Sequence, residues 1–149
     1  DCEITVSCNG EYDLPLYVRK PAWADKVLVD GAEKAAGELI AIGGKIRGDK
    51  TIKVEFPTEP KIHELNDKIA ITFGPLVLAA DERKQKIDFT KPLGLKTPLA
   101  FEFLEPEAGE LVRIAFETES GGKIILTDYQ SCGKFWNEKD NRISVWLYK

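Results

Sequence analysis

Apolar and polar residues alternate along much of this chain with a period of two. Cys2, Ile4, Val6 and Cys8 are interleaved with Glu3, Thr5 and Ser7; Ile52, Val54 and Phe56 with Lys53 and Glu55; Ile69, Ile71 and Phe73 with Ala70 and Thr72. Successive side chains of an extended backbone point to opposite faces, so each run predicts a strand with one face buried. A looser form of the pattern marks 14–19, 26–29, 38–42, 100–103, 111–116, 123–127 and 143–147. Between the runs stand Asn9-Gly10, Asp30-Gly31, Gly43-Gly44, Gly48-Asp49, Gly74-Pro75 and Gly121-Gly122, residues that accept the backbone angles of tight turns. About ten short strands punctuated in this way predict an all-β fold, an antiparallel β-sandwich.

Helix is scarce. Ala32, Ala35 and Ala36 sit between Gly31 and Gly37, too short a stretch for a stable helix, and 30–39 reads as a hairpin connection. Residues 81–98 carry Arg83, Lys84, Lys86, Lys91, Lys96, Pro92 and Pro98 with little apolar periodicity. The expected organisation is one β-sandwich region over 1–149, with a long loop near 81–98 at which it would divide into halves 1–80 and 99–149.

Composition narrows the function. The chain has 149 residues, 21 Lys and Arg against 25 Asp and Glu, and a net charge of −4. That balance argues against nucleic acid as a partner, which demands a concentrated basic surface. The longest apolar run, Leu76 to Ala80, is too short to span a bilayer, so no membrane role is expected. There is no Met, and the expectation is a piece of a longer protein. Three cysteines exclude a full disulfide framework. Cys2 and Cys8 in one strand would lie about 20 Å apart, beyond bridging distance, whereas a bridge from Cys132 to either stays open. His63 and the three cysteines lack the paired spacings of a zinc site, and Ile42-Gly43-Gly44-Lys45 lacks the full pattern of a phosphate-binding loop. No metal and no cofactor is expected.

Catalysis needs a nucleophile with a base, or two carboxylates at a set separation. Glu59, Glu64 and Asp67 surround His63, but His63 falls on the polar side of Ile62 and Leu65 and reads as a solvated residue. Cys132 has Gly133 and Lys134 beside it and no partner His in its segment. No catalytic residue is assigned. The aromatics offer a different chemistry, because the C–H face of a sugar ring packs on an aromatic face as other apolar groups do. Trp136, Tyr129 and Trp23 are the candidates for carbohydrate contact. Trp23 has a second reading: with Pro21 ending a strand and Ala22 and Ala24 beside it, it would close the sandwich core.

The order of segments carries a resemblance. Leu16-Tyr17-Val18-Arg19-Lys20-Pro21-Ala22-Trp23-Ala24, Val27 to Gly31, Gly37 to Ile42, Gly48-Asp49, Ile52 to Phe56 and Gly74-Pro75-Leu76-Val77-Leu78-Ala79 resemble the region that follows the catalytic barrel in the β-L-arabinofuranosidases of glycoside hydrolase family 127. Leu126 to Tyr129 and Arg142 to Leu147 are similar to that family's terminal segment, with Asp128 where the motif usually has Pro, and Asp30 replaces the usual Asn of the hairpin. The resemblance implies a sandwich downstream of an (α/α)6 barrel that carries the family's zinc-binding cysteines and catalytic glutamate. None of those residues maps onto this chain, so it is expected not to be an enzyme by itself. The implied function is a non-catalytic accessory domain that packs on the upstream barrel of the same polypeptide, supports its active-site loops and contributes to a homodimer. The alternative is a carbohydrate-binding module using the exposed aromatics. A periplasmic or extracellular location is slightly favoured over the cytoplasm, which the odd cysteine count fits equally well.

Overall fold

The computed structural model describes residues 1–34, 37–132 and 142–149. Among them the regular structure is strand apart from one helical turn, and every strand pair is antiparallel, as the alternation predicts. The chain forms two compact units, Asp1–Glu59 and Pro60–Lys149.

The first unit holds β1 (Cys2–Val6), β2 (Glu11–Leu14), β3 (Tyr17–Arg19), β4 (Val27–Val29), β5 (Ala32–Lys34), β6 (Leu39–Ala41), β7 (Gly44–Arg47) and β8 (Lys50–Glu55). One layer is a sheet in the order β1-β8-β4-β5. The other is a ladder in two pieces, β2 on β7 and β3 on β6, with one register running through both. Pro15, which has no N–H to give a ladder, falls at the interruption. Opposite it, the N–H groups of Ile42 and Gly43 both donate to Leu16 O, at 2.9 and 3.0 Å. A Cβ on Gly43 would stand 1.9 Å from Leu14 O, so only glycine lets the two backbones approach this closely. Gly43-Gly44 is therefore more than a turn, since Gly44 opens β7. Val27, Val29, Ile52 and Val54 of the first layer bury themselves against Ile40 and Ile42 of the second, flanked by Ile4, Leu16, Val18 and Phe56. Each fully buried aliphatic side chain contributes about 1.5–3 kcal/mol, and six small ones make a modest core.

The second unit holds β9 (Pro60–Leu65), β10 (Lys68–Phe73), β11 (Leu76–Asp81), β12 (Phe101–Phe103), β13 (Arg113–Glu117), β14 (Lys123–Asp128), α1 (Tyr129–Cys132), β15 (Ile143–Ser144) and β16 (Leu147–Tyr148). Its sheet runs β12-β13-β14-β11-β10-β16, with β9 on β10 and β15 on β11. The β10–β11 hairpin pairs only next to its turn, at Thr72↔Val77 and Phe73↔Leu76. The far ends pair instead with the last residues of the chain, Ala80 with Ser144 and Ile69 with Leu147. β12 and β10 stand four strands apart in the sheet, a separation of about 19 Å if it were flat. The rings of Phe103 and Phe73 nonetheless meet edge to face with centroids 5.2 Å apart, so the sheet is strongly curled. Ile71, Leu78, Ile114, Phe116 and Leu126 fill the hollow.

The long loop near 81–98 exists, since 82–100 contains no strand, but it is not a joint. The division between units falls at 59 and 60, and the loop lies inside the second. It turns at 82–84 and at 89–90, and Ile87, Phe89, Leu93 and Leu95 pack onto the core between its charged residues. Leu93 N–H donates to Tyr148 O at 3.0 Å, and Lys96 N–H to Glu117 O at 3.0 Å. Gln85 uses its side-chain amide as a substitute strand, accepting from Ile125 N–H at 3.0 Å and donating to Ile125 O.

Candidate functional site

Between the end of β11, the 107–110 turn and α1, the chain builds a polar cleft of about 440 Å³. Asp81, the last residue of β11, is 2% exposed. The turn that follows brings Arg83 back over it: Arg83 Nε donates at 2.9 and 3.0 Å to the two carboxylate oxygens, its terminal amine donates to Oδ2, and its backbone N–H to Oδ1 at 2.9 Å. Burial pushes the Asp81 carboxyl up, but the Arg83 side chain, its N–H and its charge together outweigh that and hold the group below its usual value. Arg83 also donates to Cys132 O at 2.6 Å, joining β11 to α1. On the other wall Lys84 pairs with Glu107 and lies 3.3 Å from Glu110, and Arg113 pairs with Glu107 too. The Lys84 bond, then the Arg113 bond, lowers the Glu107 carboxyl.

The floor is equally committed. Burial raises the Cys132 thiol, which lies 3.2 Å from Thr127 Oγ1, so this sulfur stays protonated and is a poor nucleophile. Asp128 is 1% exposed and accepts from Leu111 N–H at 2.8 Å, Val112 N–H at 3.4 Å, Ser131 N–H at 2.9 Å and Ser131 Oγ at 2.6 Å. Burial drives its carboxyl up, and the Ser131 hydroxyl and three N–H donors bring it below the ordinary value. It caps α1 and anchors the 111–112 backbone. An acid held ionised by its own cation cannot lend a proton to a glycosidic oxygen, so Asp81 and Glu107 are ill suited to acid catalysis. The cleft is a structural clasp. Composition had not singled it out, but Asp128-x-x-Ser131 is a readable helix-cap spacing.

The residues named from sequence scatter. Trp23 is half-buried, with its ring edge to face on Phe56 at 5.8 Å; the turn that carries it is held by Ala24 N–H on Pro21 O and by Lys20 Nζ on Ala24 O at 2.7 Å. Tyr129 opens α1 in the second unit and is 57% exposed. Trp136 lies outside the described residues. His63 is exposed on β9, its Nε2 2.8 Å from Thr72 Oγ1. Ile62 and Leu65, the apolar neighbours of His63, are 39% and 57% exposed, because β9 stands at an edge of the sheet. All three cysteines are free. Among the described residues no cluster of His, Cys, Asp and Glu is placed to hold a metal ion, and no helix is long and apolar enough to cross a membrane.

Such a molecule belongs to the antiparallel all-β class. Compared with known protein families and with curated protein sequences, the chain matches none. Solved structures do match. Over 98% of its length it aligns with a β-L-arabinofuranosidase of glycoside hydrolase family 127 from Geobacillus stearothermophilus T6, with a TM-score of 0.73 and 20% identity, covering 28% of that chain. A second β-arabinofuranosidase of family 127 aligns over 98% with a TM-score of 0.68 and 19% identity, covering 29% of its chain. A further glycoside hydrolase aligns over 98% with a TM-score of 0.59 and 15% identity, covering 30%. The fold is that of one part of these hydrolases, and the chain spans under a third of their length.

Proposed function

We propose that this chain is a non-catalytic β-sandwich accessory region of a glycoside hydrolase of the β-L-arabinofuranosidase kind, packing on an upstream (α/α)6 barrel of the same polypeptide and supporting its active-site loops. The observation that carries the reading is the alignment of nearly the whole chain with 28% of a family 127 arabinofuranosidase. The chemistry of the described residues supports it: the buried carboxylates are bound to cations or backbone N–H groups, and His63 has a hydroxyl for its neighbour rather than a carboxylate.

The test is hydrolysis. Purified chain incubated with aryl β-L-arabinofuranosides and related aryl glycosides releases no phenol, while the coding sequence upstream of Asp1 specifies a helical barrel with clustered cysteines and a glutamate. Turnover that follows the chain through successive columns, or an upstream region of another kind, overturns the reading.

A further inference from the structure

The first unit has a hollow of its own, about 490 Å³, lined by residues of β1, the turn after it, β2 and β7. Val6, Leu14 and Ile46 form its apolar surface, with Ile46 2% exposed. At its mouth stands Tyr12, 58% exposed. Gly10 leaves the space beside this ring open, since a Cβ there would come within 3.4 Å of its Cε2. Cys8 also lines the hollow, but its thiol is directed at the carbonyl oxygens of Gly10 and Gly48, each 3.3 Å away.

Two features set this groove apart from the clasp in the second unit. Its polar side chains at Ser7, Asn9 and Tyr12 have no hydrogen-bond or ion-pair partner among the described residues. Its lining also carries a single formal charge, that of Asp13, which stands in register with Lys45 of β7. A groove with an apolar floor, one aromatic ring and a rim of hydrogen-bonding groups of which one is acidic suits a ligand that is apolar on one face, hydroxylated at its edge and not anionic.

We propose that this groove binds a neutral sugar ring, stacked on Tyr12 and hydrogen-bonded by Ser7 and Asn9. The choice of a sugar over another neutral amphiphile rests on the reading of the chain as part of a glycoside hydrolase. It places carbohydrate contact away from Trp23, Tyr129 and Trp136. The experiment is calorimetric titration of the chain with arabino-, xylo- and cello-oligosaccharides, repeated with Tyr12→Ala, Tyr12→Phe and Tyr129→Ala, each checked for an unchanged melting temperature. Binding weakened about tenfold or more by Tyr12→Ala, largely kept by Tyr12→Phe and untouched by Tyr129→Ala is expected. Absence of heat with every sugar at millimolar concentration, or loss of binding in Tyr129→Ala alone, overturns the groove. Neither result bears on the accessory role, which the hydrolysis assay and the upstream sequence test separately.

Discussion

The two units solve the same burial problem with different means. The first packs two layers of short strands and buries six aliphatic residues between them. The second curls one sheet until Phe103 meets Phe73, fills the hollow with larger side chains around Phe116, and packs Ile87, Phe89, Leu93 and Leu95 of the 82–100 segment against it. Their hollows differ in the same sense. In the second unit the polar groups at the end of the sheet neutralise one another, Asp81 with Arg83 and Lys84 with Glu107. In the first the polar groups at the rim face water. The comparison teaches that a cleft dense in charge is not thereby a site. Groups already satisfied by each other must break those bonds before they can bind anything, whereas solvated groups beside an exposed ring only exchange water for ligand.

The contrast can be broken most forcefully at the centre of the second unit. Phe116→Ala removes a 0% exposed ring on which Phe101 packs and should cost about 3–5 kcal/mol in urea unfolding. A loss under about 1 kcal/mol would mean that the curled sheet does not depend on its aromatic filling. In the first unit the comparable point is a backbone contact. Gly43→Ala forces a methyl group into Leu14 O and Leu16 N and should destabilise by about 3 kcal/mol, through a shifted ladder rather than a cavity. If its melting temperature matches that of the parent, the two ladder pieces are not held as closely as described.

The clasp should reveal itself through acid. The folded protein holds Asp128 and Asp81 below their ordinary values, so the stability they add is present in full above about pH 4 and drains away as pH falls through the lowered folded values. Asp128→Asn should cost about 1.5–3 kcal/mol at neutral pH and flatten the acid limb of the stability curve. An unaltered limb would remove Asp128 from the account. The smallest effect is expected at Trp23, where a half-buried ring against Phe56 gives about 2 kcal/mol on replacement by Ala, short of the ~3–5 kcal/mol of a fully enclosed Trp. Thermal unfolding of Trp23→Ala with an unchanged midpoint would make this ring a surface feature.

The class of fold is legible in local sequence alone. A period of two needs only the pleat, and the turns at Asp30-Gly31 and Gly121-Gly122 need only backbone angles, so both are written locally. Strands β2, β5, β7, β9 and β11 escaped the pattern for equally local reasons: they are short, open on glycine or proline, lie at an edge, or, like β11, are apolar on both faces. Which residues meet is set by long-range packing. That Arg83 folds back on Asp81, that Gln85 completes β14 and that Gly43 lies against Leu14 are not properties of any stretch of sequence, because each depends on a partner that a distant turn delivers. The same holds for the candidate sites. Tyr129 is exposed and Trp23 half-buried, although both are aromatic residues in a segment that follows a strand. Tyr12, one tyrosine among four, is distinguished because Gly10 leaves space beside it and Ile46 is brought opposite it across the ladder. Periodicity tells a side chain which face to take; the free energy of burying it depends on what the rest of the chain places there.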